Sequence, residues 1–193
     1  MSVAGFRNMA QSDQGKYSYD DVLNFWFAEE NKPKWFDKDE NFDTAITENF
    51  TDLYKIIASG VLDHWKESAL GSLALIITLD QFSRNMFREL PESYATDSKA
   101  LSITKYAITK KLDEELSTDH KMFLYMPLMH SENLEDQKLC VQLFKDNPKE
   151  KHYAEMHLRI IERFGRFPHR NNALGRKSTE EELQFLTTPN SSF

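Results

Sequence analysis

The chain has 193 residues and a mass of 22.6 kDa, enough for one domain with a sizeable core. Its 12% aromatic content excludes a disordered chain. Six scattered glycines exclude a dinucleotide or P-loop turn, and a single cysteine, Cys140, excludes a disulfide framework and a cysteine-based zinc site. The net charge of −7 argues against a general binder of nucleic acid or anionic membrane.

In chain order, residues 1–16 are polar and aperiodic and read as a flexible tail. A single helical domain is expected over 17–193, with 187–193 as a loose end. No apolar segment suits a secretory signal. The longest mostly apolar run, Ala69–Leu79, is far too short to span a bilayer. Together with the free cysteine this favours the cytoplasm. Ser18-x-x-Asp21 resembles a capping box opening a helix over Asp20–Ala28. Pro33 breaks that helix, and Trp35-Phe36 form an aromatic plug before the next. Phe42, Ile46, Phe50, Leu53 and Ile57 then mark one helix face, with Gly60 as its stop. Ser68–Phe87 reads as one long helix that is apolar almost all round. Asp97–Leu112 is another, and a shorter one over Thr118–Tyr125 stops near Pro127. Ser131 can cap a helix running to about Phe144. Asn147-Pro148 starts one carrying Tyr153, Met156, Ile160 and Phe164 on a face, ended by Gly165 and Pro168. Ser178-x-x-Glu181 reads as the capping box of a last helix to Leu186. No segment alternates as a strand would. The predicted fold is therefore all-α, with roughly eight or nine helices in antiparallel pairs and no repeat of fixed period.

Arginine and lysine are distributed differently. Apart from Arg7, the arginines fall in two stretches. One holds Arg84 and Arg88; the other holds Arg159, Arg163, Arg166, Arg170 and Arg176. Between the two there are nine lysines and no arginine. Lysine serves as a hydrated point charge, whereas the guanidinium fork suits buried or bidentate contacts with carboxylate or phosphate. In the first stretch Asp80, Arg84 and Arg88 form an i, i+4, i+8 line that continues the apolar stripe of Leu73 and Ile77. Gln81 and Asn85 form a second pair beside it. Such a stripe is either satisfied by internal partners or lines a cavity. The second stretch, Arg163 to Asn171, alternates basic and apolar residues around Gly165 and Pro168 and reads as an irregular loop. Residues 157–177 carry six basic residues and one acid.

Among the histidines, His157 lies on an apolar face as a core histidine would. His130 precedes a helix start, and His169 sits in the arginine loop as a candidate acid, base or donor. His152-x-x-Glu155 stands alone, so no metal site is expected, and no nucleotide or redox cofactor motif is present. Cys140 sits among Leu139, Val141 and Leu143 and reads as packing.

Several strings together resemble a known family. They are Phe25-Trp26-Phe27, Trp35-Phe36, Leu73 to Ile77 running into Asp80-Gln81-Phe82, and Arg84-Asn85-x-Phe87-Arg88. They continue with Ala95-Thr96-Asp97, Phe123-Leu124-Tyr125-x-Pro127, Met129-His130-Ser131-Glu132, Tyr153-Ala154-x-x-His157, Arg163 to Asn171, Leu174-Gly175-Arg176 and Ser178-Thr179-x-Glu181. This ordered set, covering about Ser18 to Leu186, resembles the bacterial family called domain of unknown function 924. The resemblance implies an all-helical fold similar to tetratricopeptide repeats with degenerate repeats, and it supplies no activity. Ser83 stands where the family usually has proline, which puts in doubt any kink at that point.

Three readings follow. In the first, a polar pocket binds a small anionic ligand, a carboxylate or a phosphate. Arg84, Asn85, Arg88, Gln81, Glu132, His157, Arg166, Arg170 and Asn171 supply the contacts, and Asp80, His130 and His169 are the candidate proton-handling groups. In the second, the helices form a scaffold for a protein or an acidic peptide. In the third, the arginines only lock helices together through acids such as Asp80, Asp97 and Glu132. Oligomeric state and catalysis are not legible. Residues 13–52 alone carry a balance of −7, so the remaining body is nearly neutral and the arginine stretches are locally positive.

Overall fold

The computed structural model describes residues 16–192. The predicted tail lies outside the described residues except for Lys16. The all-helical expectation holds: no described residue is in a strand.

Helix α1 (Tyr19–Trp26) opens with the expected capping box. The Ser18 hydroxyl accepts from the Asp20 amide, and the Asp21 carboxylate accepts from the Ser18 amide at 2.9 Å. After a 3-10 turn at Lys32–Lys34, Trp35 stacks on Trp26 and donates its Nε1–H to the Trp26 carbonyl at 2.8 Å. Only half of the expected plug is internal, because Phe36 is 64% exposed. Helix α2 (Glu40–Ala58), capped by Asp39, buries the predicted face of Phe42, Ile46, Phe50, Leu53 and Ile57. Gly60 then turns the chain at φ +90°.

The long apolar stretch is not one α-helix. Helix α3 (Ala69–Ile76) passes into a π-helical segment, Ile77–Phe82, and then into the short α4 (Ser83–Met86). Side-chain hydroxyls meet the loosened carbonyls of this segment. The Leu79 carbonyl accepts from Ser83 Oγ at 2.8 Å and from Thr96 Oγ1 at 2.6 Å. The Asp80 carbonyl accepts from Arg84 Nη1 at 2.7 Å. The helix therefore departs from α geometry just before Ser83, although proline is absent there.

Helix α5 (Asp97–Thr109) ends three residues earlier than predicted and is followed by a 3-10 turn, Leu112–Glu115. Helix α6 (Thr118–Met129) runs through Pro127 instead of stopping at it. Only two helical residues follow the proline, and Phe123 to Met129 are all buried, so packing outweighs the one lost backbone bond. Helix α7 (Leu134–Leu143) is capped by Asn133, not Ser131, whose hydroxyl is spent on Asp136 at 2.8 Å. Helix α8 (Pro148–Phe164) starts on its proline and ends at Gly165, φ +68°. It turns Ala154, His157, Ile160 and Ile161 inward, while Tyr153 is 46% exposed. Helix α9 (Glu180–Leu186) uses Thr179 and Glu182 as its capping box, one residue later than expected, because Ser178 is engaged by Asn171.

Helix α3 is central, with α1, α5 and α6 against it. Helix α2 packs on the π segment and α4, α7 bridges α6 and α8, and α9 leans on a 3-10 turn at Pro168–Arg170. Leu73 to Leu79 and Phe82 are completely or almost completely shielded. No helix among the described residues is long and apolar enough to cross a membrane. The close seating of α3 depends on Gly71, where a Cβ would overlap the Trp65 carbonyl oxygen. Gly71→Ala is expected to destabilise the protein by about 1–3 kcal/mol. In urea unfolding this would appear as a lower midpoint at an unchanged slope.

Candidate functional site

The centre of the site is a carboxylate inside the apolar helix. Asp80 is completely buried in the π segment. Burial alone would raise its carboxyl. The Arg84 guanidinium, then His130 and Gln81, outweigh that and hold it below the usual carboxylate range. Arg84 Nη1 lies 3.0 Å from Asp80 Oδ1, and Gln81 Nε2 donates to Oδ2. His130, at the C-terminal cap of α6, places Nδ1 at 2.8 and 3.0 Å from the two carboxylate oxygens. An ionised carboxylate only accepts, so Nδ1 carries the proton and His130 Nε2 keeps its lone pair.

Asp97, the first residue of α5, extends the cluster. Its oxygens accept from Arg84 Nη1 at 3.0 Å and Nη2 at 3.1 Å, and from Arg170 Nη1 at 3.3 Å. Arg170 is only 6% exposed and lies over the rings of Tyr94 and Phe167, 4.8 and 4.5 Å from their centres. Its Nε is buried without a partner among the described residues, and so is Nδ1 of the adjacent His169. Burial, then the neighbouring Arg84, pulls Arg170 below the ordinary arginine value. Burial, then Arg170, pulls His169 down to about 3. The His157 ring lies tilted beside His130 at 6.2 Å and edge-on to Phe167 at 5.7 Å, and its Nδ1–H donates to the Tyr153 carbonyl at 2.8 Å. Burial, then His130, pulls it to about 3. His130 is lowered too, since burial and Arg84 outweigh the attraction of Asp80. All three imidazoles are therefore neutral near pH 7.

The remaining predicted site residues lie in two other groups. Asn85 and Arg88 both hold Asp43 of α2: Asn85 Nδ2 at 2.7 Å, and Arg88 through Nη2 at 2.8 Å and through Nε. Helix α4 ends at Met86, so Arg88 leaves the line of Asp80 and Arg84. Arg166 and Asn171 belong to a strap, residues 165–179, laid over the cluster, and Glu132, between α6 and α7, anchors it. Glu132 accepts from the Phe167 amide at 2.8 Å and from Arg176 through both of its oxygens, at 2.7 and 2.9 Å. Arg166 forks onto Glu182 at 2.6 and 2.8 Å, and Asn171 joins Glu182, Ser178 and Arg176.

Sequence reasoning left Asp43, Tyr94, Phe167, Arg176 and Glu182 out of the site. The family strings contain Phe167 and Arg176; nothing local marks Tyr94 or Asp43. No group of three or more potential ligands that could hold a metal occurs among the described residues.

These features define an all-helical protein with a buried Asp–Arg–His centre covered by an arginine-bearing strap. Residues 22–190 match the bacterial proteins of unknown function designated DUF924, and the chain belongs to that family. It is similar to a protein of unknown function from Agrobacterium tumefaciens whose structure is solved. That protein is 41% identical, with a TM-score of 0.84 over 88% of this chain and 96% of that one. No curated protein matches the chain.

Two outcomes are expected. Arg84→Met strands a buried carboxylate and should cost about 3–5 kcal/mol in urea unfolding. Stability should also fall on acidification from about 6.5, the ordinary histidine value, towards about 3. His157 and His169 stay neutral in the fold over that range while the unfolded chain takes up their protons. Each such group contributes at most about 1.4 kcal/mol per pH unit. His169→Asn should therefore flatten the profile of unfolding free energy between pH 6.5 and 5.

Proposed function

We propose that the Arg170–His169–His130 cluster binds a small anionic molecule through its carboxylate or phosphate, with Asp80 and His130 handling a proton. The observation that carries this reading is the pair of buried, unpartnered nitrogens, Arg170 Nε and His169 Nδ1, on consecutive residues. Buried polar atoms ordinarily find partners, and an oxyanion supplies acceptors where these two atoms have none. The neighbouring dyad has the arrangement of an oriented general base. A carboxylate pinned by Arg84 and Gln81 fixes the His130 tautomer, and the neutral Nε2 is free to accept a proton. Arg170 then holds the ligand, and Asp80 stabilises the imidazolium that forms.

The strap carries Phe167, His169 and Arg170, so a ligand enters when the strap lifts. Gly165 and Gly175 bound this stretch at φ +68° and +63° with open space around each. Breaking the Glu132–Arg176 clasp would favour that motion. We read the protein as cytoplasmic, in keeping with the reduced, buried Cys140.

A second reading has its own support. Arg84, Arg88, Arg166 and Arg176 all end on carboxylates of the same chain, as expected if the arginines lock a tetratricopeptide-like scaffold for a protein or acidic peptide. Calorimetric titration with inorganic phosphate, succinate and citrate separates the two. The anion site predicts saturable binding of at least one probe, weakened about tenfold or more by Arg170→Gln and by His169→Asn but not by Arg88→Gln. Absence of binding by all three probes, or binding indifferent to Arg170 and His169, leaves the scaffold reading.

A further inference from the structure

A second polar depression, lined by none of the residues of that cluster, lies between the turn after α2 and α5. It encloses about 590 Å³, within the range of small-molecule sites, and is lined by Ser59, Asp63, Lys66, Ser98, Lys99 and Ser102, with Tyr106 at one side. Its two lysines differ. Lys99 is fixed: its ammonium donates to the Ile57 carbonyl at 2.7 Å and pairs with Asp63 at 2.8 Å. Lys66 is half-buried, lies 5.3 Å from the centre of the Tyr106 ring, and has no carboxylate within 4 Å among the described residues. The Asp63 charge is spent on Lys99, and the nearby Glu67 accepts from the Tyr106 hydroxyl at 2.7 Å, so among the lining residues Lys66 is the cation with no ion-pair partner. Serine hydroxyls from both walls flank it. Gly60 contributes to its shape: a Cβ there would come 3.3 Å from Asp63 Oδ2 and 3.5 Å from Lys99 Nζ, crowding the pair that anchors the floor.

From this geometry we infer that the depression between Gly60 and α5 is a binding site for a small hydroxylated phosphate ester, of the sugar- or polyol-phosphate class. Lys66 and the hydroxyl of Ser98 offer donors to the phosphoryl oxygens, while the Ser102 hydroxyl donates to the Lys99 carbonyl at 2.7 Å and keeps only its acceptor side. The second oxygen of Asp63 and the hydroxyl of Ser59 can accept from ligand hydroxyls. A bare apolar anion would leave the second oxygen of Asp63 without a donor, and a neutral sugar would leave Lys66 without an anion. The combination therefore selects a molecule carrying both functions. This site shares no residue with the Asp80–His130 cluster, so either can fail without the other.

The test is a titration of amide chemical shifts of the full chain with glucose 6-phosphate, with inorganic phosphate and glucose run separately. Saturable shifts are expected at Ser59, Gly60, Ser98, Lys99 and Ser102, tighter for glucose 6-phosphate than for either fragment. Lys66→Met should weaken them about tenfold and Arg170→Gln should leave them unchanged. Lys66 does not serve the core or the central cluster, and the Lys66→Met spectrum will verify its fold. Three results overturn the proposal: no saturable shift in these residues, equal affinity for glucose, or binding that Lys66→Met leaves intact.

Discussion

The Asp80 carboxylate is the constraint around which the polar half of the molecule is organised. A charge with no solvent contact inside an apolar helix is tolerated only when donors surround it closely. Each donor brings a further requirement. Arg84 is mostly shielded and needs a second anion, which α5 supplies as Asp97. Asp97 in turn engages Arg170, which the chain delivers only after crossing from α8 through Gly165. His130 reaches the same carboxylate from the end of α6. One buried group thus ties together α3, α5, α6 and the C-terminal strap.

The π segment is what places that carboxylate. Widening the helix at Ile77–Phe82 frees carbonyls at Leu79 and Asp80, and these are covered by Ser83, Thr96 and Arg84. The same Arg84 that neutralises the Asp80 side chain also satisfies its backbone. Local helix geometry and the charge cluster are therefore one arrangement, and α5 is positioned by both, through Thr96 on the carbonyl and Asp97 on the guanidinium. A helix wall built this way holds its polar groups in fixed directions, which is the preorganisation a binding site requires.

Much of this was legible from residue types. The segregation of arginine from lysine singled out both walls of the cluster, and the pairing of Asp80 with Arg84 follows from i, i+4 spacing. The departures have physical causes. Apolar residues on every side of 69–82 give no periodicity from which a π segment could be read. Pro127 looked like a stop because a lost backbone bond is visible in sequence, while the burial of the six residues around it is not. Ser131 and Ser178 were poor caps because other side chains had already engaged them. The union of His130 with Asp80, fifty residues apart, and the capture of Asp43 by Arg88 are tertiary facts with no local signature.

The arginines divide into two kinds once their partners are counted. Arg176 and Arg166 each meet a carboxylate through two nitrogens and a backbone carbonyl through a third contact, as expected of a fastening. Arg170 is better shielded than either, yet it spends a single nitrogen on Asp97 at 3.3 Å and leaves Nε without a partner, beside an equally unpartnered His169 nitrogen. A residue that served only to fasten the strap would be more stable with those donors used, or replaced by an apolar group of similar shape. The flanking rings of Tyr94 and Phe167 hold the guanidinium in place without occupying its hydrogen bonds. Position is fixed while donor capacity is left open, and that difference separates Arg170 from Arg166 and Arg176, which each meet a carboxylate through two nitrogens.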